Sequence, residues 1–123
     1  MESENLTPYL TTETATLLEA ARVIRGNYAR TAVVVDDFET RKVLGVISEG
    51  DILEASLQGV DVHTPITEFV NHSFTYLHEA DETAAQQRFA QHGFGLIPVV
   101  DDQMQLQHVY TMLRSFRKSM GIE

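Results

Sequence analysis

Val43-Leu44-Gly45-Val46-Ile47-Ser48-Glu49-Gly50-Asp51-Ile52-Leu53 reads as a short buried strand that ends on a hydroxyl, turns once, and opens a helix with an acid. Val43 to Ile47 is apolar, rich in β-branched residues and too short for a helix of its own. Gly45 inside that run marks a close approach of backbone or ligand. Ser48 is a favoured N-cap residue, and Glu49 and Asp51 fall in the first turn, where the helix dipole favours negative charge. A helix that opens straight after a strand also offers unpaired N–H groups to a phosphate or another anion. Two roles are therefore open for Ser48 and Asp51, helix capping and ligand contact.

The pattern comes twice. Val33-Val34-Val35-Asp36-Asp37 is matched by Pro98-Val99-Val100-Asp101-Asp102, 65 residues further on. The same offset carries Thr16 to Asp81, Ala20 to Ala85 and Ile24 to Phe89, one helix cap and two apolar helix positions matched in kind. Ser48 pairs with Thr111 at an offset of 63, because the second Asp-Asp turn is two residues shorter. Copies of roughly 60 residues lie outside the usual solenoid periods and indicate a paired module.

Each copy reads as strand, helix, strand, strand, helix. In the first, Leu6 to Thr12 is an extended lead-in, with Pro8 pushing Thr7 out of helical geometry. Thr16 and Glu19 form a capping-box pattern for a helix stopped by Gly26-Asn27. Thr31 to Val35 and Val43 to Ile47 make a strand pair, and the helix after Ser48 closes at Gly59. Val60 to Asn71 connects the copies, with a helical turn opened by Pro65. The second copy has a lead-in strand at Phe74 to Leu77, a helix capped by Asp81 and ending near Gly93, strands at Leu96 to Val100 and Leu106 to Thr111, and a helix from Leu113 to Met120. Pro98 predicts an edge or first-residue position in its strand. The alternation fits α/β or α+β half-domains, and each half has too few strands to cover its own sheet, so the halves are expected to pack on each other.

The chain has 123 residues, 43% hydrophobic and 22% charged, enough for a real core without disulfides or metal. It has no cysteine, which excludes thiolate zinc sites and cysteine nucleophiles and suits a reducing cytoplasmic setting. No apolar run approaches a membrane span, and Met1 to Asn5 is a polar, frayed start rather than a signal peptide. A net charge of −9 argues against nucleic acid or an anionic membrane as partner. The histidines show no ligand spacing, so no metal site is expected. Asp36-Asp37 and Asp101-Asp102 are turn acids, and Ser48 has no histidine in a motif relation to it, so no catalytic site is read. Met112, Phe116 and Met120 sit at helical spacing as core or interface.

These residues carry a resemblance. Thr16 to Ala20, Val33 to Asp36 and Gly45-Val46-Ile47-Ser48-Glu49-Gly50-Asp51, with Asp81 to Ala85 and Leu96 to Asp101 in the second copy, resemble a tandem pair of CBS domains, the cystathionine β-synthase type of regulatory module. The resemblance implies an α/β (α+β) fold of two pseudo-symmetric β-α-β-β-α repeats packed as a CBS pair: repeat one over residues 6–59, a connector over 60–72 and repeat two over 73–120. Ser48 to Asp51 followed by Gln58 to Asp61 and Thr64-Pro65 is most similar to pairs attached to nucleotidyltransferases that activate sugar phosphates. The Gly-rich nucleotide loop such a catalytic part needs is not in this sequence, so a free-standing pair or a regulatory segment of such an enzyme is expected.

The family relation implies an adenine nucleotide (AMP, ADP, ATP or S-adenosylmethionine) in the cleft between repeats, as a regulatory ligand rather than a cofactor. Asp51 would accept from the ribose hydroxyls, and Ser48 would hold phosphate with the helix N-terminus. Arg30 matches a phosphate-contact position and can equally be an exposed turn residue. The second copy departs from the signature: His108 stands where Gly belongs and Arg114 where Asp belongs, while Thr111 keeps the hydroxyl. One nucleotide per chain on the Asp51 side is therefore expected, with Arg114 turned to its phosphates or solvated. The family also implies a homodimer through a self-complementary apolar face. The alternative is a module without ligand that serves dimerisation or interaction only.

Overall fold

The structure is a computed structural model and describes residues 5–122; the expected fraying of residues 1–4 lies outside it. Thr7–Tyr9 forms a 3-10 turn with Pro8 near its start, which corrects the extended geometry expected of Thr7. Pro is tolerated in a first helical turn because its missing N–H would lack a partner there anyway. The chain then enters β1 (Leu10–Thr12) and α1 (Leu17–Asn27). Thr16 caps α1 as its spacing predicts: its hydroxyl accepts from Glu19 N at 3.1 Å, and Thr16 N donates to Glu19 Oε1 at 2.9 Å.

The helix stops at Asn27, within the expected Gly26-Asn27. The helix runs through Gly26, and Tyr28 takes the left-handed turn at φ 58°. Asn27 fixes that turn: its amide donates to Thr31 O at 3.0 Å and to Pro8 O at 3.2 Å, and its side-chain oxygen accepts from Ala29 N at 2.7 Å.

β2 (Thr31–Val35) pairs parallel with β1 and antiparallel with β3 (Val43–Ser48), so Val33 faces Leu10 on one side and Val46 on the other. Every residue of β2 is buried, because both faces are covered. Val33 and Val35 join a core shared with Leu96, Val100, Leu106 and Val109 of the second repeat. Ala32 and Val34 pack with Leu17, Ala20 and Ile24 of α1 and with Ala55 of α2 (Glu49–Leu57). The halves therefore do share a core, as their sparse strands require.

The second repeat keeps the register: α3 (Glu82–His92), β4 (Leu96–Val100), β5 (Leu106–Thr111) and α4 (Met112–Ser119) stand where the two offsets place them. The two strand hairpins meet reciprocally. Val43 N donates to Met104 O at 2.8 Å and Leu106 N to Arg41 O at 2.9 Å, equivalent bonds related by a pseudo-two-fold axis.

Its lead-in is not a strand. Leu77 alone bridges Val99, with Leu77 N donating to Pro98 O at 3.0 Å and Val100 N to Leu77 O at 2.8 Å. A strand residue's N and C=O leave by the same edge, so Pro98 lacks a donor on the side where a longer lead-in would pair. Pro98 is thus mid-strand but on a nearly open edge.

The connector passes over the start of α1, makes a 3-10 turn at Ile66–Phe69 with Pro65 as its cap, and seals the outer edge of β3. Val46 N donates to Asn71 O at 3.0 Å and Asn71 N returns a bond to Val46 O at 2.8 Å. A Cβ on Gly45 would collide with Asn71 O and stand 2.7 Å from Val70 Cγ1. His108 stands at the equivalent position of β5, with its ring edge-on to Tyr110 at 4.7 Å.

Candidate functional site

A cavity of about 660 Å³ opens where the two repeats meet. One wall is the turn from β3 into α2, Ser48 to Asp51, and the segment Tyr28 to Thr31. The facing wall is the end of the connector, Asn71 and Ser73 to Thr75, with Gly93 to Leu96. Met112, Leu113 and Phe116 of α4 close the side.

Ser48 and Asp51 stand in it as a capping box. Ser48 Oγ accepts from Asp51 N at 3.1 Å and donates to Asp51 Oδ2 at 2.9 Å, and Ser48 N donates to the same oxygen at 2.8 Å. Both side chains are half-buried. Capping and cavity lining therefore coexist: Oδ2 orients the carboxylate through Ser48, while the residues remain at the cavity wall. A carboxylate is acceptor-only, with further lone pairs for a diol.

Arg30 also lines the cavity, is exposed, and holds a left-handed backbone at φ 62°. Its C=O accepts from Glu49 N at 2.9 Å, which joins the start of β2 to the start of α2. Thr111 and Arg114 lie elsewhere. Thr111 is buried and caps α4 by accepting from Arg114 N at 3.2 Å; Arg114 is exposed on the first turn of α4, and neither lines the cavity.

The counterpart of the segment Asn71 to Thr75 is Leu6 to Leu10, where Leu6 and Leu10 are buried in the shared core and Tyr9, like Phe74 in the second repeat, packs against it. The contrast between an ordered lead-in and an irregular one makes the two sides of the pseudo-dyad unequal.

Several lining groups escaped the sequence reading. Phe74 and Phe94 are half-buried apolar walls, and Asn71, Ser73 and Thr75 add polar atoms. Gly95 marks the seam: a Cβ there would collide with Ala29 O, so the two pre-strand segments touch through backbone. Phe116 was legible as an apolar helix position, yet it is 59% exposed and serves the cavity rim rather than a core. The turn acids act as turn acids: Asp36 Oδ1 accepts from Thr40 Oγ1 at 2.8 Å and from Lys42 N at 2.9 Å, and Asp101 Oδ1 from Gln103 N and Gln105 N at 2.9 Å each. Among the described residues no three His, Asp or Glu side chains group as metal ligands, and no helix is long and apolar enough to cross a membrane.

Comparison with known proteins follows the same lines. Residues 7–58 match the CBS domain family model. A CBS domain protein from Pyrobaculum aerophilum, solved in complex with AMP, shares 28% identity over 88% of this chain and 82% of its own, with a TM-score of 0.71. A CBS domain pair/ACT domain protein from Thermotoga maritima gives 22% identity, coverage of 91% and 88%, and a TM-score of 0.71. CBSX2 in complex with AMP gives 16% identity, coverage of 97% and 92%, and a TM-score of 0.75; these last two likenesses concern the fold. No curated protein matches the sequence. Residues 7–58 thus carry the likeness to a CBS domain, and with the same elements repeated about a pseudo-dyad in its second half the chain has the fold of the CBS domain pairs it is similar to.

Proposed function

We propose that the chain is a regulatory, non-catalytic sensing module that binds one adenine nucleotide in the cavity between the repeats. The observation that carries this reading is a cavity of about 660 Å³ at the N-terminus of α2, walled by both repeats, with Ser48 and Asp51 in its lining. Its volume lies within the usual range for small-molecule sites. Phe74, Phe94, Met112 and Phe116 supply apolar surface for a base, Asp51 an acceptor for ribose, and Ser48 and Arg30 groups for a phosphate. The AMP complex of the relative at 28% identity supports the ligand class. A ligand that touches both repeats binds best in one relation of the halves, and that preference is how it would act on an attached effector. A nucleotidyltransferase catalytic domain is the effector that the sequence resemblance proposes.

The second copy lacks the ribose acceptor, with Arg114 where the signature has Asp, and this supports a stoichiometry of one. Calorimetry and thermal shift with AMP, ADP, ATP, GTP and S-adenosylmethionine test the reading. An adenine ligand at a hundredfold over its Kd should stabilise the chain by about 2.7 kcal/mol, and Asp51→Ala should abolish that gain. Two ligands per chain would refute the single site; no binding at millimolar concentration would leave the interaction module.

A specific observation favours pairing with a second copy as well. Leu53 and Leu57 of α2 and Leu113, Phe116 and Met120 at the end of α4 are all exposed, Leu57 by 76%. α2 carries Glu49, Asp51 and Glu54, and α4 carries Arg114, Arg117 and Lys118. An isologous contact that sets α2 of one copy against α4 of the other joins apolar surface and opposite charge.

A further inference from the structure

A second cavity, of about 480 Å³, lies between the C-terminal end of α1 and the first turn of α2. Ile24 and Ile52 form part of its apolar floor, and the exposed side chains of Arg25, Tyr28, Arg30 and Glu49 surround it. Tyr28, Arg30 and Glu49 line the larger cavity too, so the two adjoin at these residues. The first turn of α2 borders both, with Ser48 and Asp51 in the lining of the larger cavity, Ile52 in that of the second and Glu49 in both.

The charge along this border changes sign. The larger cavity sets Glu49 and Asp51 against Arg30, whereas the second sets Arg25 and Arg30 against Glu49. Guanidinium groups match phosphate oxygens in pairs, with two parallel N–H donors to one phosphate. A single phosphate on a ribose held at Asp51 stays near Ser48 and Arg30; a longer phosphate chain has a cationic groove to enter.

We propose that the second cavity takes the distal phosphates of a nucleotide whose nucleoside occupies the first, with Arg25 as their contact. The ligand of this chain then carries more than one phosphate. This inference rests on the adenine-nucleotide reading of the larger cavity. Arg25 also sits in the last turn of α1, where a cation is favourable in its own right. The test therefore reads a ratio of ligands, which helix stability does not move.

Calorimetry on the full chain, at low salt and without divalent metal, compares AMP, ADP and ATP. ADP and ATP should bind about tenfold more tightly than AMP, the worth of one charge-assisted contact. Arg25→Gln should bring them to within about twofold of AMP while the Kd of AMP stays unchanged, and Arg25→Lys should keep part of the ratio. Equal affinity of the native chain for AMP and ATP, or a ratio that survives Arg25→Gln, overturns the proposal and leaves the nucleotide site standing. Failure of all three to bind overturns both.

Discussion

At the scale of single residues, the polar groups of this chain are first structural and only then available to a ligand. Ser48 illustrates it, since its hydroxyl holds the Asp51 amide and its amide holds the Asp51 carboxylate. Ser48→Ala should cost about 1 kcal/mol in urea unfolding, the ordinary worth of an N-cap, before any nucleotide is added. Asp36 and Asp37 behave in the same way. The Thr40 hydroxyl, followed by the amides of Asp37 and Lys42, holds the Asp36 carboxyl below its usual 3.8, and the amides of Thr40 and Glu39 do so for Asp37. A carboxylate with a depressed folded pKa contributes stability above its unfolded value, and that contribution vanishes as pH falls through the folded value. Acid should therefore weaken the fold from about pH 4 downward. Asp36→Asn should flatten this dependence below pH 4 in urea titrations, and an unchanged slope would refute the assignment. Sequence spacing revealed both the caps and the turn acids, because such bonds span one to six residues of one segment.

At the scale of elements, backbone approach decides which substitutions the fold bears. Gly45 lies under the connector, and an added methyl meets a carbonyl and Val70 together, so Gly45→Ala should lose roughly 1–3 kcal/mol through overpacking. Gly26 is the counter-case: it sits inside α1, exposed, at an ordinary helical φ with nothing within 4 Å of a new methyl. Gly26→Ala should therefore gain about 0.5–1 kcal/mol from helix propensity and a less flexible unfolded chain. Denaturant midpoints of the two variants, read side by side, check the pair. The elements themselves were largely legible, since two offsets placed all four long helices and the two strand hairpins. The errors arose where a distant partner overrides local preference. Pro98 denies a lead-in strand its donor, so the expected strand at Phe74 to Leu77 shrinks to the single bridge of Leu77. Half of the cavity wall was hidden for the same reason: Asn71 to Thr75, Phe94 and the α4 side chains reach Ser48 only through the pseudo-dyad.

At the scale of the molecule, the exposed apolar side chains of α2 and α4 are the unfinished part of the packing. The shared core is complete, with Val33, Val35 and Val100 fully buried, so these helices do not need their outer side chains to fold. Leu57 is the position that separates assembly from ligand binding, being 76% exposed and absent from the lining of either cavity. Leu113 and Phe116 cannot serve, because they also line the nucleotide cavity. Sedimentation of the native chain should give twice the 13.8 kDa of one copy. Leu57→Glu should give the single-copy mass, since it buries a charge and adds an acid to the acidic helix. Its nucleotide affinity should stay within about twofold of native if one copy carries the whole site, a change of less than about 0.5 kcal/mol. A native chain that sediments as a single copy would remove the dimer and leave the nucleotide site untouched. Loss of nucleotide affinity along with the dimer would instead mean that the second copy completes the cavity through Leu113 and Phe116, the side chains that belong to both surfaces.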